Sequence, residues 1–216
     1  MKLHLAIGTL ALVALQATAA VIYNNGSPNL TGAQLSDVDG AEFLAENFTL
    51  ASAKTVRDVH WWGIYFPSDT PGPDSFTIEF FNVVAGTPAT AAFASFAVAA
   101  SRVDDGTTIL GRKNYRYAAV IPDLPLAAGD YLLSIVNSTS ADSDDGWYWS
   151  STTFADGIMY RFSSGAAWSG PYGFEAAFFL TDDAAVDAPE PASLLLIGVG
   201  LGLFACRTRR RGRDGR

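Results

Sequence analysis

Between residues 21 and 180 the chain is a succession of short apolar-alternating runs broken by turn residues, with no run holding a helical period. Phe76, Ile78 and Phe80 alternate with Thr77 and Glu79, and Tyr115, Tyr117, Ala119 and Ile121 alternate around Arg116. Tyr131, Leu133 and Ile135 do the same, and residues 54–66 hold Val56, Val59, Trp61, Trp62, Ile64 and Phe66. A period of two puts alternate side chains on opposite faces of a strand. Further strand readings fall at 21–23, 42–50, 89–100, 147–149, 159–162 and 174–180. Residues 67–74, with three prolines and a glycine, fit neither strand nor helix. Residues 29–40, 122–129 and 137–146 read as loops, and 102–111 as a polar hairpin around Asp104-Asp105-Gly106. About ten short strands with turn signals between them predict an all-β chain, an antiparallel β-sandwich that is jelly-roll-like in strand number.

The two ends are built differently. Met1-Lys2-Leu3-His4 is a short positive segment, Leu5 to Leu15 is apolar, and Ala17-Thr18-Ala19 is a small-x-small cleavage site. That order is a signal peptide over 1–19, with the mature chain starting at Ala20 or Val21. At the other end Pro189-Glu190-Pro191 breaks any structure arriving from upstream. An uncharged run follows, with Leu194, Leu195, Leu196, Ile197, Val199, Leu201, Leu203 and Phe204. Arg207, Arg209, Arg210, Arg211 and Arg213 then favour the cytoplasmic side of a membrane. The run is short for a plain span, which takes about 20 residues, so a single transmembrane helix here leans on snorkelling arginines. The chain divides into the signal peptide 1–19, a β-sandwich body 20–181, a linker 182–188 and a C-terminal signal 189–216.

The order Pro-Glu-Pro, apolar span and Arg-rich end resembles the PEP-CTERM sorting signal of Gram-negative bacteria, with Pro189, Glu190 and Pro191 on its motif. The resemblance implies a substrate of exosortase, a membrane transpeptidase-like enzyme. It implies export through the inner membrane, anchoring before processing, and then a cell-surface or extracellular place associated with exopolysaccharide. Such a tail is an address and assigns no activity to the body. Phe48-Thr49-Leu50-Ala51-Ser52, Trp61-Trp62-Gly63, Gly129-Asp130-Tyr131 and Trp147-Tyr148-Trp149 also look like the bodies of other PEP-CTERM proteins, which offer no catalytic residues to transfer.

Charge excludes some partners. Residues 20–188 hold 20 acids against seven bases, so the body repels nucleic acid and anionic lipid. The one cysteine, Cys206, lies in the apolar run, where it reads as a small apolar residue or an acylation site. The body therefore folds without a disulfide. With His60 its only histidine and no body cysteine, nucleophile–base catalysis and a zinc site are both poorly supplied. Glu79 and Glu175 are the carboxylates a glycosidase reading would use. No cofactor is expected; Asp142, Asp144 and Asp145 form the one loop with calcium-type donors, against the plainer reading of a solvated acidic loop. Trp147, Trp149, Trp168 and Tyr172 are the candidates for stacking on sugar rings, with core filling the alternative. Three functions stay open: a non-catalytic matrix protein, a carbohydrate-binding module using exposed aromatics, and a glycosidase-like enzyme.

Overall fold

A computed structural model of the chain describes residues 20–68, 71–141, 144–153 and 156–182. These residues form fourteen strands and no helix. The signal peptide, the sorting motif, the apolar run with Cys206 and the arginines lie outside the described residues. Among the described residues no helix is long and apolar enough to cross a membrane.

Two antiparallel sheets face each other. In the first, β1 (Val21–Asn24), β14 (Phe178–Thr181), β4 (Lys54–Phe66), β11 (Gly146–Ser150) and β2 (Ala33–Leu35) lie in that order. The thirteen-residue β4 takes β14 along Asp58–Trp61 and β11 along Gly63–Phe66. Its other edge pairs with β9 (Arg112–Leu126), which in turn carries β8 (Ser101–Ile109). In the second sheet β13 (Ser169–Tyr172), β12 (Ile158–Arg161), β3 (Phe43–Leu50), β10 (Gly129–Val136) and β5 (Phe76–Val84) run in order. The far edge of β5 holds β7 (Ala94–Val98) and the two residues of β6 (Thr87–Pro88).

The alternation seen in the sequence decides which faces meet. Phe76, Ile78 and Phe80 of β5 point at the first sheet and are buried. The Phe76 ring lies 5.1 Å from Trp61, 5.0 Å from Tyr117 and 5.1 Å from Trp147, edge-on to each. Phe48 on β3 meets Phe178 of β14 at 6.3 Å. Such edge-to-face pairs add about 0.5–1.5 kcal/mol each beyond the area they bury. Trp62, one residue from Trp61, takes the outer face and packs 5.8 Å from Phe179.

Gly63 follows Val59 and Trp61 in phase on the inner face of β4, and the Trp147 indole lies directly over it. A Cβ built there would stand 2.4–2.5 Å from the indole. The glycine after the paired tryptophans is thus the floor on which Trp147 rests. Gly63→Ala is expected to cost about 1–3 kcal/mol by overpacking, read as a lower midpoint in urea unfolding with little change in slope.

Two expected loops contain strand. Residues 29–40 hold β2, a three-residue edge strand made by pairing Leu35 with Tyr148 and not by its own alternation. Residues 122–129 were expected as loop, but β9 continues to Leu126 through Pro122 and Pro125. β8 pairs only as far as Ala118, so these prolines sit where β9 lacks β8 beside it, the edge setting in which proline is tolerated. The hairpin expected at 102–111 has its turn at Leu110-Gly111, and Asp104-Asp105-Gly106 is an irregularity within β8. Leu110 and Gly111 both have positive φ, 53° and 74°, as a two-residue hairpin turn requires. Leucine is a poor residue for that backbone, and here its side chain is exposed. Leu110→Asn is expected to raise stability by about 1 kcal/mol, measured as a higher thermal midpoint.

Candidate functional site

The aromatics singled out by sequence divide sharply. Trp147 and Trp149 are both 0% exposed, which corrects their reading as stacking residues. They share the inner face of β11, and it is Tyr148, on the other face, that reaches the surface. The Trp149 indole N–H donates to the Ala177 carbonyl at 3.0 Å. Trp168 is also occupied. Its N–H donates to the Ala89 carbonyl, and its ring lies 5.2 Å from Phe81 and 4.4 Å from the Arg161 guanidinium. Tyr172, at 52% exposed, remains open to a ligand.

Tyr172 belongs to a groove that no single stretch of sequence announces. Tyr160 on β12 pairs with Leu44 of β3, a core residue, so Tyr160 faces inward. Phe162, two residues on, lies 5.0 Å from it. Tyr172 on β13 lies 4.7 Å from Tyr160, and the two hydroxyls share a 2.9 Å hydrogen bond. Across from them, Gln34 of β2 pairs with Trp149 and therefore also faces inward. Its amide donates to the Glu42 carboxylate at 3.0 Å. With Leu44, Ile158 and Phe174 these side chains line a hollow of about 250 Å³. It lies where the β2 edge of the first sheet and the β12–β13 edge of the second leave the interior unsealed.

The two carboxylates of the glycosidase reading, Glu79 and Glu175, lie in different surroundings. Glu79 accepts from Arg161 at 3.0 Å on the outer side of the second sheet. Glu175 is 1% exposed and accepts from the backbone N–H groups of Asp156 (2.7 Å) and Gly157. The two are not a pair. The actual neighbour of Glu175 is Glu46, which sequence reading missed. Glu46 is in phase with the core residues Leu44, Phe48 and Leu50, so it points between the sheets and is 0% exposed. Glu46, Glu175 and the exposed Asp156 each bring a carboxylate oxygen within 4.8 Å of the others. At such burial neither glutamate presents a carboxyl to a polysaccharide. A hard cation would find three donors here, against the about six to eight oxygens calcium takes.

Burial pushes the Glu46 carboxyl well above its ordinary value. The Ala176 N–H, donating at 2.6 Å, opposes this, and the charge and hydrogen bond of Glu175 add to it. The same acids, after burial itself, push the Tyr23 hydroxyl up to about 12. The folded state therefore keeps a proton on Glu46 that the unfolded chain releases near 4.5. Its contribution to stability is full below that pH and is lost as pH rises through the raised folded value. Thermal midpoints are expected to fall from pH 4.5 upward over that window, and Glu46→Gln, which keeps a neutral side chain there, is expected to flatten the fall.

Of the calcium candidates, Asp142 lies outside the described residues. Asp144 and the buried Asp145 line a hollow of about 490 Å³ with Asp39, Phe66 and Tyr148. His60 lies flat on Phe179, ring centres 4.1 Å apart, with Nε2 3.1 Å from Asp58.

These features define, among the described residues, an all-β body of two antiparallel sheets. The C-terminal segment is where the known proteins agree: the PEP-CTERM protein-sorting motif matches residues 187–211. The motif is the recognition signal for exosortase and marks an exported protein sorted to the cell surface through a C-terminal anchor. Comparison with curated proteins and with solved structures returned no match.

Proposed function

We infer that the chain is an exported, non-catalytic surface or matrix protein, carried by exosortase to a place among exopolysaccharide. The observation behind this reading is the sorting motif at 187–211, together with the signal-peptide pattern over 1–19. The body supports a non-catalytic role, since Glu79 is held by Arg161 and Glu175 is buried beside Glu46. The acidic balance of residues 20–188 fits a neutral matrix and disfavours nucleic acid. The protein rests in the inner membrane by the run from Leu194 to Phe204 until the tail is processed. A second reading, a body that itself holds carbohydrate, is favoured by one observation, the half-open aromatic groove at the β2 and β12–β13 edges.

Mass spectrometry of the mature protein from its own host tests the sorting. The Arg-rich end from Arg207 onward is expected to be missing when exosortase is present and retained when it is deleted. An intact C-terminus at Arg216 in the exosortase-bearing host contradicts the reading.

A further inference from the structure

We propose that the groove of Tyr160, Phe162, Tyr172, Gln34 and Glu42 is a binding site for one ring of a neutral polysaccharide. The proposal rests on the exopolysaccharide reading for the source of the ligand but not for the site itself.

The Tyr160 ring stands at a steep angle to each of two neighbours, 67° to Phe162 and 61° to Tyr172. They form a corner, so one face of a flat, partly apolar ring can lie on Tyr172 or Phe162 while its edge meets Tyr160. Phe162 is 65% and Tyr172 52% exposed, a large apolar outlay for side chains on the inner face of a sandwich. The opposite wall is polar, and its groups face the same hollow. The Gln34 amide has a second N–H beyond the one given to Glu42, and the Glu42 carboxylate has further lone pairs. The paired tyrosine hydroxyls supply another donor and acceptor. Apolar faces with a few convergent polar groups are what sugar rings need, since a pyranose carries C–H faces and a rim of hydroxyls. At about 250 Å³ the hollow is below the usual range of about 300–1,000 Å³ for drug-sized ligands, which fits one ring of a longer chain.

Charge chooses among polymers. The lining holds one acid, Glu42, and no base. An anionic polysaccharide would meet that carboxylate and the acidic body together, whereas a neutral one meets neither as a penalty. An apolar partner, or a second copy of this chain, would have to bury the Gln34–Glu42 pair.

The test uses the full-length chain in detergent. Cellohexaose, laminarihexaose, mannohexaose and a neutral fraction of the host's exopolysaccharide are titrated by calorimetry, with polygalacturonate as the anionic contrast. At least one neutral probe is expected to bind, equally at low and at high salt, because stacking is not screened. Tyr172→Ala and Phe162→Ala, both exposed, are expected to weaken it about tenfold or more with unchanged melting, while Phe66→Ala leaves it intact. The site is overturned if no neutral probe binds, if both groove variants bind as the parent does, or if polygalacturonate binds best. It is also overturned if the chain self-associates and Tyr172→Ala abolishes that association. Absent binding with the tail still processed sinks the groove alone, whereas an unprocessed tail with binding intact strikes only the sorting reading.

Discussion

The Phe76 ring, held edge-on by Trp61, Tyr117 and Trp147, is the contact on which the two sheets depend. It is the place where β5 of one sheet meets β4, β9 and β11 of the other. No disulfide supports it, because the one cysteine lies in the terminal apolar run. An acidic body loses stability through self-repulsion, so burial of large rings has to supply the cohesion. That need sets the identity of small residues too, as at Gly63, where the Trp147 indole takes the space of a side chain.

Charged groups inside such a body are each handled locally. Arg161 is almost wholly buried on the outer side of the second sheet, between Trp168 at 4.4 Å and Phe81 at 5.0 Å. Glu79 and the Thr90 carbonyl accept its N–H groups. A guanidinium stacked on rings and given a carboxylate keeps its charge at modest cost. The Trp168 segment is thereby pinned to the sheet. Glu46 follows the other route, since burial raises its carboxyl well above the ordinary value and so favours its neutral form. Both are buried side chains, Glu46 between the sheets and Arg161 on the outer side of the second sheet, and each has a polar neighbour there.

Much of the fold was readable where alternation was strong. The strands around Phe76–Phe80, Tyr115–Ile121 and Tyr131–Ile135 follow from period-two patterns. β2 and the end of β9 were not readable, since one exists through its partner β11 and the other runs through two prolines. The site was less legible. Trp147 and Trp149 share a strand face by alternation, but the sequence does not say that this face is the inner one. Glu46 had a usable signal in its phase with Leu44, Phe48 and Leu50, which strand alternation alone places on the inner face. The groove could not be read at all. Gln34, Tyr160 and Tyr172 are far apart in sequence, and only the offset between two sheet edges brings them together. The sorting tail was the reverse case, since its information is in linear order and needs no tertiary structure.

β14 ends one residue before the last described position, yet it lies inside the first sheet between β1 and β4. The first and last described residues are tied there, with the Ala20 N–H donating to Asp182 at 3.0 Å and the Asp182 N–H donating back at 3.2 Å. An interior strand supplied last makes closure of the sheet wait for the whole body to be synthesised. Until residues 178–181 emerge, β1 has no partner and half of one β4 edge is bare. The first sheet thus closes only once the last strand of the body is available. β1 and β2 lie along one and the same edge of that sheet, because β14 and β11 pair end to end with the single edge of β4 that β9 leaves free.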